Sequence, residues 1–506
     1  MQNIIKWCIL LILFFPIFFL AFRQKKWYLY LLCAFIAVLP EQFSIKLHSS
    51  VPLLSATRIL ILILTGFWLY GKWKTRTFRF PKSLVLFFAI NLIISLVNLR
   101  FGTQEIKRIF LLIFERVLLV VMLADTITDK EEFHRCIDFA IMGCAALAVI
   151  GIVQTVFDYD ISTALHLVKT PTSVHLAQRM GLTRAFGTYN AISYGCYCAF
   201  MLLLILYRLY STGSLWHSGA FALTFAALIC TYTRSAWLCL AAVVFFLLIF
   251  FFKKLCKRLL PGIGMTLAIM ILLCCFQPML FNALVETGKS TINTVLNVIP
   301  DPVIDFFTPD AQSTTPSDSV KPQPEDTETE PTKPPVERPG FELDKDFGAN
   351  AKNPALSRTF QWSAVEYMAD EGTLWLGYGY NALLRGKIHF FYASWGNQWT
   401  VTSFLDVGLV ALITESGILG AIVHLSLLLY MAVYAFRKKR SLKEKELDFN
   451  WIVLFMIPLY LLLNYLAAFL NAQIIWVFIG LFYTYQKLGE QKSPTEEALP
   501  EQKEEL

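Results

Sequence analysis

A chain of 506 residues that is 56% hydrophobic and 15% aromatic, with a mean hydropathy of +0.55, lies outside the range of soluble globular domains and reads as an integral membrane protein. Its net charge of +7 does not point to nucleic acid, because the basic residues gather in short loops beside apolar runs, where topology accounts for them. The 11 cysteines sit mostly inside those runs and include no CxxC pair with a histidine partner, so neither a disulfide framework nor a zinc site is indicated.

Apolar segments fall near 4–22, 27–39, 51–71, 83–99, 109–124, 137–157, 188–207, 218–233, 236–252, 259–280, 416–436, 450–468 and 470–485. They predict an all-α polytopic membrane protein with about 12 to 13 transmembrane helices. The first run lacks a small-residue cleavage site and is expected to be a membrane helix, not a removed signal. Basic clusters at 23–26, 72–82, 253–258 and 437–445 occupy alternate loops, which assigns those loops to the cytoplasm. Four parts follow: N-terminal helices over 1–280, an extracytoplasmic loop over 281–403, C-terminal helices over 404–485 and a cytoplasmic tail over 486–506. Within the loop, 308–340 is rich in Pro, Thr, Ser and acids. Such a composition buries too little surface to fold, so a disordered insert is expected.

After the insert, Asn353-Pro354 is a helix start signal, with Phe360, Ala364, Tyr367 and Met368 on one face as far as Gly372. The segment Leu376-Gly-Tyr-Gly-Tyr-Asn381 is a glycine-rich turn that lets backbone approach a ligand or a helix closely.

Charged residues at membrane depth need a reason. An arginine inserted into hydrocarbon costs roughly 2.5 to 3.5 kcal/mol, so Arg184 and Arg234, both where apolar runs meet the outer face, call for internal partners or a ligand. One reading is an anion site; the other is that each guanidinium snorkels to the headgroups or caps neighbouring carbonyls. Glu115 and Arg116 are adjacent in the run at 109–124 and project about 100° apart on a helix, so each is expected to reach a different helix. Asp158-Tyr-Asp160 and Asp344-Lys-Asp346 have an Asp-x-Asp form that can hold a cation, although acidic residues in polar loops need no metal.

The order of these features resembles the O-antigen ligase and polymerase superfamily of bacterial membrane glycosyltransferases. The resemblance rests on Arg184 with Gly187 and Asn190, on Thr233-Arg-Ser235, on the long external loop with Arg358-Thr-Phe-Gln-Trp362, and on Glu415-Ser-Gly-Ile-Leu-Gly420. It is most specific between Thr183 and Gly420, less than half of the chain. It implies transfer of a glycan from undecaprenyl diphosphate to an acceptor hydroxyl, in the bacterial plasma membrane, with the active site on the extracytoplasmic face. A lipid-linked oligosaccharide, membrane lipid and other polysaccharide assembly proteins would be the partners, with no cofactor and no nucleic acid. Polymerisation of repeat units is preferred over ligation of finished glycan on the composition of the insert, and a lipid-glycan transporter is a third reading, weakened by the lack of repeat symmetry.

Arginine suits the leaving diphosphate, whose charge it can meet with forked hydrogen bonds. The resemblance therefore puts Arg184, Arg234 and Arg358 on the diphosphate, with Arg179 in reserve. Where the family commonly has a histidine, nine residues before the glutamate, this chain has Asp406. Asp406 or the upstream His389 would then accept or orient the acceptor hydroxyl. The alternatives are a helix N-cap for Asp406 and a packed or interfacial histidine for His389.

Overall fold

The computed structural model describes residues 15–23, 26–38, 44–45, 54–75, 80–102, 104–157, 178–179, 182–187, 191–296, 359–380, 382, 389–392, 398–401, 407–439, 446–467 and 473–490. Helices dominate, as the apolar runs require. In chain order they are α1 (Trp27–Val38), α2 (Ala56–Thr75) and α3 (Lys82–Asn98), then one pass in three pieces: α4 (Gln104–Leu111), a π-helical stretch (Leu112–Leu118) and α5 (Leu119–Thr126). There follow α6 (Lys130–Phe157), α7 (Ala191–Thr212), α8 (Leu215–Cys230), α9 (Arg234–Phe276) and α10 (Pro278–Leu296). The short α11 (Ser363–Asp370) precedes α12 (Gly408–Lys438), α13 (Phe449–Ala467) and α14 (Gln473–Glu490). Among the described residues, five helices are long and apolar enough to cross a membrane, and shorter apolar helices occur at Trp27–Ile36, Leu215–Cys230 and Phe449–Tyr465.

The bundle is layered around α7. Its apolar stretch is 89% buried, against 33% for that within Lys82–Phe101, so α7 is an inner helix whereas α3 leaves much of its surface uncovered by protein. Tyr194, Tyr197 and Phe200 of α7 are completely enclosed, and Phe200 meets Phe478 of α14 edge to face at 5.6 Å.

A straight α9 of 43 residues would run about 65 Å, roughly twice the hydrocarbon thickness. It does not run straight. Phe251 leaves the helical region at φ −124°, ψ 23°, and the chain then returns alongside α8: Gly262 packs on Phe221 and Cys274 lies by Cys230 and Tyr232. The two expected spans at 236–252 and 259–280 are therefore the arms of a helical hairpin, and the basic stretch expected to be a loop is itself helical. Lys254 stands over the Tyr210 ring at 4.4 Å, and Arg258 fills the space beside Gly213.

Basic groups collect at this end of the bundle. Lys26 pairs with Glu132 at 2.5 Å and Lys72 with Asp125 at 2.6 Å, and Lys487 donates to the carbonyls of Ala124, Asp125 and Ile127. Arg208 forks onto Asp138 at 2.6 and 2.7 Å, with His217 on the same carboxylate at 3.0 Å. A cavity of about 740 Å³ opens here between Lys82, Asp125, Tyr430, Tyr483 and Lys487.

The described strands form three two-stranded antiparallel ribbons: β1 (Ser44–Ile45) with β2 (Leu54–Ser55), β3 (Gln178–Arg179) with β4 (Leu182–Thr183), and β5 (His389–Tyr392) with β6 (Gln398–Val401). All three lie in connections at the opposite end, and the chain remains all-α in class.

Candidate functional site

At that opposite end the loop before α7 is bound to the turn between α8 and α9. Arg184 donates from Nε to the Thr231 carbonyl at 2.6 Å and from Nη2 to Thr233 Oγ1 at 3.0 Å. Thr233 Oγ1 donates onward to the Ala191 carbonyl, and the Ala185 amide donates to the Cys230 carbonyl at 2.9 Å. Buried Gln154 of α6 completes the loop by accepting from the Phe186 and Gly187 amides and donating to the Gly187 carbonyl. Gly187 is needed there, since it takes φ +56° with Leu147 and Tyr194 close against its Cα.

The turn itself is unusual. Tyr232 has φ 51°, the only positive value among the described non-glycine residues, although it follows the C-cap of α8, where glycine is the usual solution. Its ring is buried at 2% exposure and its hydroxyl has no hydrogen-bond partner. The next residues, Thr233 and Arg234, are the N-cap and first residue of α9. Arg184 thereby does what the capping reading expects, and the same bonds fix its guanidinium beside the helix start that carries Arg234, which is the placement the anion reading needs.

A second set of polar groups meets at the broken start of α12. Gly417 sits at φ 68°, ψ −177° inside that helix, and the glycine-rich turn after α11 lies directly against the break. The Tyr378 and Gly379 amides donate to the carbonyls of Thr414 and Glu415 at 2.9 and 3.1 Å, and the Ile418 and Leu419 amides donate to Leu374 and Trp375 at 2.9 and 3.2 Å. A Cβ at Gly417 would stand 2.1 Å from the Trp375 oxygen, and one at Gly377 would stand 2.6 Å from the Glu415 carbonyl carbon. No side chain fits at either position.

Buried polar and charged groups from α3 and α4 hold the same junction. Arg108 donates from Nη1 to the Glu415 carbonyl at 3.1 Å, Glu105 accepts from the Tyr380 amide, and Asn98 donates to the Leu376 carbonyl at 2.7 Å. Burial, and Glu415 next to it, push the Tyr380 phenol up to about 12, with Arg58 and Arg116 pulling the other way. Glu115, on the π-helical stretch, pairs with Arg58 of α2 and accepts from Gln473 at 3.4 Å, while Arg116 lies over the Trp476 ring at 5.3 Å. Adjacent Glu115 and Arg116 thus reach different helices, as their angular separation requires.

Residues 219–425 match the O-antigen ligase family. No curated protein and no solved structure matches the chain. The matched stretch holds Arg234, the α9 hairpin, the loop and the α12 break.

The similarity to the O-antigen ligase family thus runs from α8 into α12.

The matched region begins after Arg184, yet Arg184 is tied by its guanidinium to the first turn inside that region. The other site residues expected from the sequence are less fully placed. Arg179 lies on β3, paired with Leu182, and His389 lies on β5, paired with Val401. Arg358, Asn190, Asp406 and both Asp-x-Asp motifs fall outside the described residues, as do the insert and the tail beyond 490. The helix expected over 353–372 is observed as α11 behind a 3-10 turn (Thr359–Trp362), with Ala364 and Met368 buried and Gly372 at φ 66° after its end; its start signal, Asn353-Pro354, lies outside the described residues. Among the described residues no group of three or more His, Cys, Asp or Glu side chains could hold a metal.

Arg58, Glu105, Arg108 and Tyr380 were not singled out from the sequence. Each is a lone polar residue near the end of an apolar run or in a short turn, and only the packing of α2, α4, α12 and α14 brings them together. The i,i+3 spacing of Glu105 and Arg108 before the run at 109–124 is the one signal that could have raised attention.

Proposed function

We propose that this chain is a membrane glycosyltransferase that moves a glycan from undecaprenyl diphosphate to an acceptor hydroxyl on the extracytoplasmic side, polymerising surface-polysaccharide repeat units. The observation that carries the proposal is the tie that holds the Arg184 guanidinium at the start of α9, the helix whose first residue is Arg234. A helix start favours anions through its dipole and its unpaired amides, and arginine adds charge without any change of protonation. The leaving diphosphate is an anion whose charge grows in the transition state, and a preorganised donor set is what stabilises it. Arg358 and Arg179 are assigned to the same anion. Asp406 or His389 takes the acceptor proton or orients its oxygen. No step in this scheme requires a metal or an organic cofactor.

A ligase that attaches finished glycan to an envelope acceptor is the second reading, favoured by the description of the matched family as O-antigen ligase. The glycan-length profile of a deletion strain separates the two. Loss of a polymerase leaves single repeats on the acceptor, loss of a ligase leaves full chains on carrier lipid, and an unchanged profile removes both.

A further inference from the structure

The cavity of about 740 Å³ at the basic end of the bundle takes no part in the transfer scheme. Its volume falls within the range of small-molecule sites, about 300 to 1,000 Å³. Four elements build it: the start of α3, the end of α5, Tyr430 of α12 and the last turns of α14. The charged side chains that line it among the described residues are Lys82, Asp125, Lys487 and Glu490. Two of these are matched within the protein. Asp125 pairs with Lys72 and accepts from the Trp68 indole at 3.0 Å, and Lys487 directs its ammonium protons to carbonyls at the end of α5. Lys82 and Glu490 form no ion pair, with each other or with another described residue, and Glu490 accepts from the neutral Gln486 amide at 3.2 Å. One cavity thus holds a cation and an anion that lack counter-ions among the described residues.

The signs of these charges select the ligand. A purely anionic group is opposed by Glu490 and a purely cationic one by Lys82, whereas a zwitterion meets both favourably. The anionic half finds further donors beside Lys82. Pro81 gives α3 no side-chain cap, which leaves first-turn amides without a cap acceptor. Ser83 and Tyr483 share one hydrogen bond at 2.6 Å, so the accepting hydroxyl keeps its own proton to donate. The surroundings favour lipid as the source. Tyr70 and Trp73 flank Lys72 near the end of α2 and are 72% and 80% exposed, and Phe80 at the cavity is exposed as well; exposed aromatic rings of this kind gather at the level of membrane headgroups.

We propose that this cavity binds the zwitterionic headgroup of a phosphatidylethanolamine-type lipid, with its phosphate at Lys82 and the start of α3 and its primary ammonium at Glu490. One bound headgroup then bridges α3 and α14 beside the end of α5, and lipid composition sets the stability of this end of the bundle. The site stands whether or not the transferase reading holds.

The test uses the full chain in detergent with dihexanoyl phosphatidylethanolamine as probe, reading thermal unfolding and, by native mass spectrometry, bound lipid. A ligand of the folded chain raises the unfolding temperature in a saturable way. Dihexanoyl phosphatidylglycerol has no ammonium, and dihexanoyl phosphatidylcholine has one without a proton to donate. Each should bind about threefold to tenfold more weakly, the range between an exposed and a buried charged contact. Lys82→Gln and Glu490→Gln should each weaken phosphatidylethanolamine binding by a similar factor. Glu490→Gln should also erase the preference over phosphatidylglycerol, which a merely structural role for Glu490 would leave unchanged. Lys289→Ala, on an exposed lysine of α10 that does not line the cavity, should bind as wild type does. The proposal is overturned if the unaltered chain shows no saturable binding, if phosphatidylglycerol binds as well as phosphatidylethanolamine, or if either glutamine variant binds like wild type. Glycerophosphoethanolamine, the same headgroup without acyl chains, separates the sources: an effect equal to that of the lipid assigns the cavity to a soluble zwitterion and overturns the lipid assignment.

Discussion

A guanidinium at the edge of hydrocarbon must have its donors occupied, and Arg184 and Arg58 meet that demand differently. Arg184 uses neutral oxygens on the Thr231–Thr233 turn, whereas Arg58 uses the Glu115 carboxylate. The consequences of substitution differ accordingly. Arg184→Ala removes a clamp between two loops as well as a charge, so glycan transfer should fall to background and thermal stability should drop together. Arg184→Lys should restore little of either, since one ammonium cannot reproduce the fork. Arg234→Ala should abolish transfer while protein abundance stays near wild type. Near-normal product from either alanine variant would leave the arginines as caps only. For the buried pair, Arg58→Leu alone strands a carboxylate and should cost about 3 to 5 kcal/mol, while Arg58→Leu with Glu115→Leu should recover most of that loss. Thermal unfolding of the three variants checks the sign, and equal stability of single and double variants would show that the pair is not coupled.

At the scale of elements, two helices depart from regular geometry, one in the pass over 104–126 and one in α12. The π-helical stretch re-aims Glu115 and Arg116 within an otherwise apolar pass, and π-helical turns are found frequently at functional sites. The break at Gly417 opens α12 so that its carbonyls can accept from the turn after α11. Gly417→Ala combines an unfavourable backbone angle with a methyl group 2.1 Å from the Trp375 oxygen. It should prevent accumulation of folded protein, whereas Gly219→Ala, which meets nothing within 4 Å, should be tolerated. Membrane-fraction abundance and detergent solubility report both, and a well-expressed, active Gly417→Ala chain would contradict the observed packing. The glycines at 377 and 379 were visible in the sequence as a turn, but its docking surface was not. The paired glycine of Gly377 lies 40 residues later, with positions between them that have no apolar pattern to fix their path.

For the molecule as a whole, the ends of the bundle differ in chemistry. Lysines and arginines bind carbonyls and carboxylates at one end, and the ribbons, the α8–α9 turn and the α12 break occupy the other. The charge bias predicts that the first end faces the cytoplasm. A cysteine placed at Ser313 should then react with an impermeant thiol reagent in intact cells, and labelling only after permeabilisation would invert the topology. Deletion of 310–338 should preserve glycan transfer, because a segment with so few apolar residues adds little to a core and loop length contributes only weakly to closure entropy. An abundant but inactive deletion would assign the insert a part in binding.

What the sequence determined by itself is the class of the molecule and the places where charge meets membrane. Hydropathy fixes apolar helices because a backbone in hydrocarbon must satisfy its own hydrogen bonds, and basic clusters mark one end of the bundle. Both signals are local and additive along the chain. The tertiary structure alone decided that 253–258 is helical within a hairpin, that Arg184 closes onto the turn before Arg234, and that Arg58, Glu105, Arg108, Tyr380 and Glu415 meet at one junction. Those contacts join residues tens to hundreds of positions apart, and they form because each buried charge or amide finds its partner only on a neighbouring helix, a condition that no single segment carries in its own composition.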